Sequence, residues 1–117
     1  MKNIHQKILN LEELKKKISA EKKKGKKIVH CHGVFDLLHV GHIKHFKSAK
    51  KNADFLLVSI TSDQFVNKGP GRPVFNQNLR SEVISSLECV DAVFINNFQT
   101  PINLINLIKP NIYFKGP

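Results

Sequence analysis

Apolar positions along this chain follow two rhythms that take turns. Leu11, Leu14 and Ile18 fall on one helical face, which Asn10 and Glu13 open with capping-box spacing and Gly25 closes. "KIVHCHG" then reads as a strand, and "VGHIKHFKSAKKN" returns to the helical period. "DFLLVSI" is a nearly continuous apolar run, of the kind buried on both faces of a parallel sheet. Residues 68–73, "KGPGRP", form a loop because paired glycines and prolines break regular structure. A helix follows over "NQNLRSEVISSLECV", with Leu79, Val83 and Leu87 at four-residue spacing. The strand "DAVFI", the helix "TPINLINLI" with Pro101 in its first turn, and the strand "NIYFK" complete the chain. This order predicts an α/β fold: a Rossmann-like open parallel sheet over 27–117, preceded by an extra basic helix over 1–26.

Composition narrows the class. A chain of 117 residues with 41% hydrophobic and 24% charged residues suits one globular domain. No apolar run approaches a membrane span, and the first residues lack the apolar stretch of a secretory signal. Cys31 and Cys89 match no metal or redox spacing, so a reduced, cytoplasmic protein without a membrane or DNA partner is expected. The net charge of +10 resembles a nucleic-acid signal until it is located. Residues 1–27 hold ten lysines against Glu12, Glu13 and Glu21, or +7, which leaves only +3 for the other ninety residues. A solvated lysine face on a packed helix accounts for that excess. Docking to an acidic partner, RNA or a membrane surface is the alternative.

The chemistry concentrates in "HGVFDLLHVGHIKHF", residues 32–46, which carries four of the six histidines. This segment leaves the first strand and enters a helix, the place where open α/β sheets bind ligands. Free backbone N–H groups and the positive end of a helix dipole favour a phosphate there. Gly33 lets backbone approach a ligand, and Gly41 removes a side chain between His39 and His42. Those two histidines are three apart and can point the same way. Converging imidazole donors would stabilise charge on the non-bridging oxygens and departing pyrophosphate of an in-line attack at phosphorus. Two other readings stay open. His39, His42 and His45 could ligate a metal, although only Asp36 and Cys31 stand near them in sequence, or two of them could be satisfied helix-surface histidines. His30 and His32 share one strand face and read as structural.

"GVFDLLHVGH" resembles the signature of the cytidylyltransferase-like nucleotidyltransferases, whose HxGH is related to that of class I aminoacyl-tRNA synthetases. The similarity continues through "LLVSITSDQFVNKGPGRPVFNQNLRSEVISSLECVDAVFI" and "LIKPNIYFKG". That longer run is similar to the nucleotidyltransferase part of ADP-heptose synthases, and more loosely to glycerol-3-phosphate cytidylyltransferases. The resemblance implies transfer of a nucleotidyl group from an NTP, ATP by preference, to a sugar phosphate of heptose 1-phosphate type. Glycerol 3-phosphate with CTP is the alternative pair, and a non-catalytic nucleotide- or RNA-binding fragment is the alternative class. It also implies Mg²⁺ accompanying the NTP without a protein metal site, a homodimer, and a fused or partner sugar kinase.

By the same resemblance, His39, His42 and Lys68 carry catalysis, and Gly33, Val34, Phe35, Asp36, Gly41, Asp63, Arg80, Lys115 and Gly116 contact the nucleotide. For Arg80 a structural ion pair with a nearby carboxylate is an equal alternative, and for Asp63 a helix N-cap. Lys44 and Lys47 read as solvated helix lysines that could also attract a triphosphate. Relatives of this kind continue beyond "YFKGP" into a Ser/Thr-rich phosphate turn and a further strand. A piece of a longer protein is therefore expected, with "NIYFK" as a sheet edge.

Overall fold

The computed structural model describes residues 6–66 and 69–115. Four parallel strands, β1 (Ile28–Gly33), β2 (Phe55–Thr61), β3 (Ala92–Asn96) and β4 (Ile112–Tyr113), lie in the order β3-β2-β1-β4. The helices are α1 (Leu11–Lys23), α2 (Val40–Lys51), α3 (Gln77–Ser85) and α4 (Ile102–Ile108). Strand alternation sends Val29, Cys31, Leu56, Val58, Ile60 and Val93 to one face, where Phe46 and Ala49 of α2 and Ile84 of α3 meet them. Ile28, Phe55, Leu57, Ala92 and Phe94 point the other way, onto Leu14 and Ile18 of α1 and Leu104 and Ile108 of α4. The result is the expected Rossmann-like three-layer arrangement. β1 starts both directions of the strand order, so the crevice at its carboxyl end is the switch point where such sheets bind ligands.

Helix α1 is built as its sequence indicates. The Asn10 side chain accepts from the Glu13 backbone at 2.8 Å, Glu13 accepts from the Asn10 backbone at 2.9 Å, and Gly25 supplies a left-handed φ of +81° past the end. Lys15, Lys16, Lys23 and Lys24 are exposed. Several lysines also serve the fold: Lys17, Lys24 and Lys26 lie 3.2, 3.9 and 3.4 Å from the buried Glu21, and Lys22 donates to the terminal carbonyls of α4 at Ile108 and Lys109.

Three features depart from the sequence expectations. Residues 7–9 run beside β3, with the Leu9 N–H on the Val93 carbonyl at 3.0 Å and the Val93 N–H on the Lys7 carbonyl at 2.8 Å, covering that sheet edge. Helix α3 ends at Ser85 and is rolled about its axis: Leu79 and Val83 are about half exposed, while Arg80, Ser81, Ile84 and Ser85 are buried. The buried guanidinium fixes that roll, and the two serines let the helix sit close. Strand β4 pairs through only two residues of "NIYFK", Ile112 and Tyr113, followed by the Phe114 N–H on the His30 carbonyl at 2.9 Å.

Candidate active site

The turn from β1 into α2 is shaped by one aromatic ring. Phe35 takes a left-handed φ of +51° and folds its ring over Gly33, where an added Cβ would come within 2.7 Å of the ring. The bare Cα of Gly33 therefore accommodates Phe35 itself. That ring then stands edge-on to His42 at 5.4 Å and to Phe46 at 5.1 Å between centroids, fixing the wall against which His42 sits.

His39 and His42 form a capping box made of imidazoles. His39 is the N-cap of α2, and its Nδ1 accepts the Gly41 N–H at 3.0 Å. Reciprocally, Nδ1 of His42 accepts the His39 N–H at 3.2 Å, and the two rings lie 4.0 Å apart, tilted by 36°. A Cβ on Gly41 would approach His39 Cε1 to 2.7 Å, so only glycine fits beneath this ring. The cap also decides which backbone donors of the helix terminus stay available. The Gly41 N–H is taken by His39 Nδ1 and the His42 N–H by the His39 carbonyl at 3.0 Å, so neither is free for a phosphate. An Nδ1 that accepts a hydrogen bond carries no proton, which places the proton of each neutral ring on Nε2. No acidic residue occupies the first turn of α2 to oppose an anion.

A second set of groups holds this turn. The Asp36 carboxylate accepts from the Phe75 N–H at 2.9 Å, the Val74 N–H at 2.8 Å and Arg72 at 3.2 Å, pinning the 72–75 loop beside the histidines. The Phe75 hydrogen bond leads these contacts in holding the Asp36 carboxyl below the usual range, against the opposing effect of burial. Arg80, with a fully buried side chain, donates to the carbonyls of Phe75 (3.0 Å), Val34 (2.8 Å) and Thr61 (2.8 Å) and to the Asp63 carboxylate (2.7 Å). Arg80 thus makes the structural ion pair given as its alternative, with Asp63 as the carboxylate. Asp63 begins a short 3-10 turn, Asp63–Phe65, whose N-cap is Ser62.

Phe35, Asp36, Leu37, His39, His42 and Arg72 enclose an open cleft of about 380 Å³. Arg72 was not singled out from sequence; its signal was a lone arginine in the Gly/Pro loop, and Asp36 brings it to the cleft. Lys68 and Gly116 lie outside the described residues. Lys115 is exposed and follows β4 on the carboxyl edge of the sheet. His45 packs on Phe114 at 4.9 Å. Among the described residues no three His, Cys, Asp or Glu side chains gather in a group that could hold a metal. Cys31 is buried, and its thiol is pushed up to about 12, chiefly by that burial. Among the described residues no helix is long and apolar enough to cross a membrane.

Paired imidazoles on a helix N-cap thus stand at the switch point of a parallel sheet, where open α/β folds bind ligands. The cytidylyltransferase-like family model matches residues 30–117. The chain belongs to the cytidylyltransferase-like family of nucleotidyltransferases. It is 44% identical over 112 residues to the bifunctional protein HldE of Geobacter metallireducens, covering 94% of this chain and 23% of that protein. Its match to HldE of Aliarcobacter butzleri is 41% over 116 residues, 97% of this chain and 24% of the relative. The chain thus spans about a quarter of the length of these relatives. A lipopolysaccharide core biosynthesis protein from Thermoplasma volcanium superimposes with a TM-score of 0.70 at 34% identity, covering 76% of this chain and 73% of that one.

Proposed function

We propose that this domain transfers an adenylyl group from ATP to the phosphate of a heptose 1-phosphate-type sugar, releasing pyrophosphate. The observation that carries the reading is the reciprocal imidazole cap, which fixes two Nε2 protons beside a cleft that Arg72 also lines. The acceptor's own phosphate oxygen attacks the α-phosphorus; a P–O bond forms to it as the bond to the β-phosphate oxygen breaks. The electron pair leaves with pyrophosphate, whose growing charge the Nε2–H groups of His39 and His42 receive. No protein nucleophile is needed. Mg²⁺ would enter with the triphosphate and neutralise part of its charge, bound by phosphate oxygens and water. Asp36, the carboxylate that lines the cleft, already accepts three protein donors and is not needed for that role. The sugar class is supported by similarity to relatives named HldE and to a protein named for lipopolysaccharide core biosynthesis. Their bifunctional naming supports a second activity in the same or a neighbouring chain, which we take to be a sugar kinase. Pyrophosphate release measured with ATP or CTP against heptose 1-phosphate and glycerol 3-phosphate tests the reading. ATP with heptose 1-phosphate is the expected pair, and turnover only with CTP and glycerol 3-phosphate would replace it.

A further inference from the structure

On the α1/α4 face of the sheet, the strands end in polar residues: His30 and His32 on β1, Ser59 and Thr61 on β2, and Asn96 on β3. The Ser59 hydroxyl lies 2.7 Å from His30 Nε2 and 2.7 Å from His32 Nδ1, and His32 Nε2 lies 3.4 Å from the Thr61 hydroxyl. Ser59 is fully buried, so its single proton goes to one of the two rings. If His30 Nε2 received it, the His30 proton would sit on Nδ1, which is buried and has no partner among the described residues. An orphaned buried N–H is the rarer and costlier defect. If His32 Nδ1 receives it, His30 Nε2–H donates to Ser59, and only a lone pair stays unmatched. The second order places the proton of His32 on Nε2, at the end of the ring beside Thr61, the last residue of β2, on the ligand edge.

Burial holds both rings neutral, His30 at about 3 and His32 at about 4, where the Ser59 backbone opposes part of the shift for His32. His32 is only partly buried, and Asn96, paired in register with Thr61, has an Oδ1 without a partner among the described residues. The edge therefore has two chemistries: imidazoles and Arg72 toward α2, and an uncharged row of His32, Thr61 and Asn96 toward α1 and α4. Uncharged donors and acceptors match hydroxyl groups.

We propose that His32 donates through Nε2 to a hydroxyl of the sugar phosphate acceptor, in an orientation set by Ser59 and His30. His32 touches substrate, whereas Ser59 and His30 are positioning residues. The inference rests on the acceptor class proposed above. Long-range ¹H–¹⁵N spectra of the histidine-labelled chain report the tautomers without any ligand. Both His30 and His32 are expected as Nε2–H, with His32 losing that preference in Ser59→Ala; an Nδ1–H tautomer of His32 in the wild type overturns the proposal. In the transfer assay, His32→Leu should raise KM for heptose 1-phosphate about tenfold, with KM for ATP changed less than about twofold, and His32→Gln should recover part of the loss. An unmoved acceptor KM, or an ATP KM moved equally, overturns it. If the wild type releases no pyrophosphate with any acceptor, the proposed reaction fails separately. The His32 Nε2–H resonance titrated with heptose 1-phosphate then decides: a shift supports the contact, and no shift removes it.

Discussion

The protein holds two histidine pairs within thirteen residues, and they differ in nearly everything but residue type. His30 and His32 lie on a strand, sharing one serine hydroxyl, and burial keeps them neutral far below the ordinary imidazole range. His39 and His42 lie on a helix end, His39 exposed, with each Nδ1 tied to a backbone N–H. In both pairs a hydrogen bond on one ring nitrogen decides which nitrogen keeps the proton. Helix position gives the second pair a partial positive field and an open cleft, which suits a developing phosphate charge. Sheet position gives the first pair an uncharged setting, which suits structure and hydroxyl recognition. The same side chain is assigned its work by the backbone group beside it.

Arg80 ties the two regions together through Val34 on the turn to α2 and Thr61 beside His32, so its loss should disturb both. Arg80→Met is expected to cost about 3–5 kcal/mol, because Asp63 and three carbonyls lose a buried partner. Urea unfolding measures this, and a cost below about 1 kcal/mol would separate the two regions. Next in size, His42→Ala should keep the fold while lowering pyrophosphate release about 10²–10³-fold. Circular dichroism with steady-state turnover checks both halves of that statement. The equivalent change at His30 should spare turnover far more, and equal losses would erase the distinction between the pairs.

Acidification sharpens the comparison in stability. The unfolded His30 titrates near the ordinary 6.5 but the folded one near about 3, so the unfolded state binds the proton first. The His30 contribution to stability is complete above the unfolded value, falls as pH drops from about 6.5 toward 3, and is flat below that. The slope from His30 alone approaches about 1.4 kcal/mol per pH unit. Unfolding free energies of wild type and His30→Gln between pH 7 and pH 4.5 should therefore converge as pH falls. Parallel profiles would show that His30 is not the buried neutral base. The smallest effect is expected at Leu79: its replacement by alanine should cost under about 1 kcal/mol, against about 2–5 kcal/mol for Ile84→Ala. Comparable costs would contradict the observed roll of α3.

Much of this was legible in the residues. Strand and helix order followed from alternation and helical period, and "HVGH" after a strand marked the start of α2 because spacing and position were both visible. The roll of α3 was not legible, since Leu79, Val83 and Leu87 repeat as a core face would. A buried arginine with four protein acceptors outweighs that pattern, and those acceptors come from the turn after β1, the end of β2, the 3-10 turn at Asp63 and the loop before α3. Arg72 was missed for a related reason: its place depends on Asp36, thirty-six residues earlier. The Ser59 relay was hidden because a serine inside an apolar run shows no partner until strand register sets it opposite His32.

The central claim is that the imidazole cap presents two Nε2 donors to a triphosphate. A crystal structure with a non-hydrolysable ATP analogue tests it most directly. Phosphate oxygens within about 2.7–3.2 Å of Nε2 on both His39 and His42, with each Nδ1 still bonded to its backbone N–H, are the predicted result. A triphosphate seated elsewhere on the edge, or rings turned so that Nδ1 faces the phosphates, would contradict it.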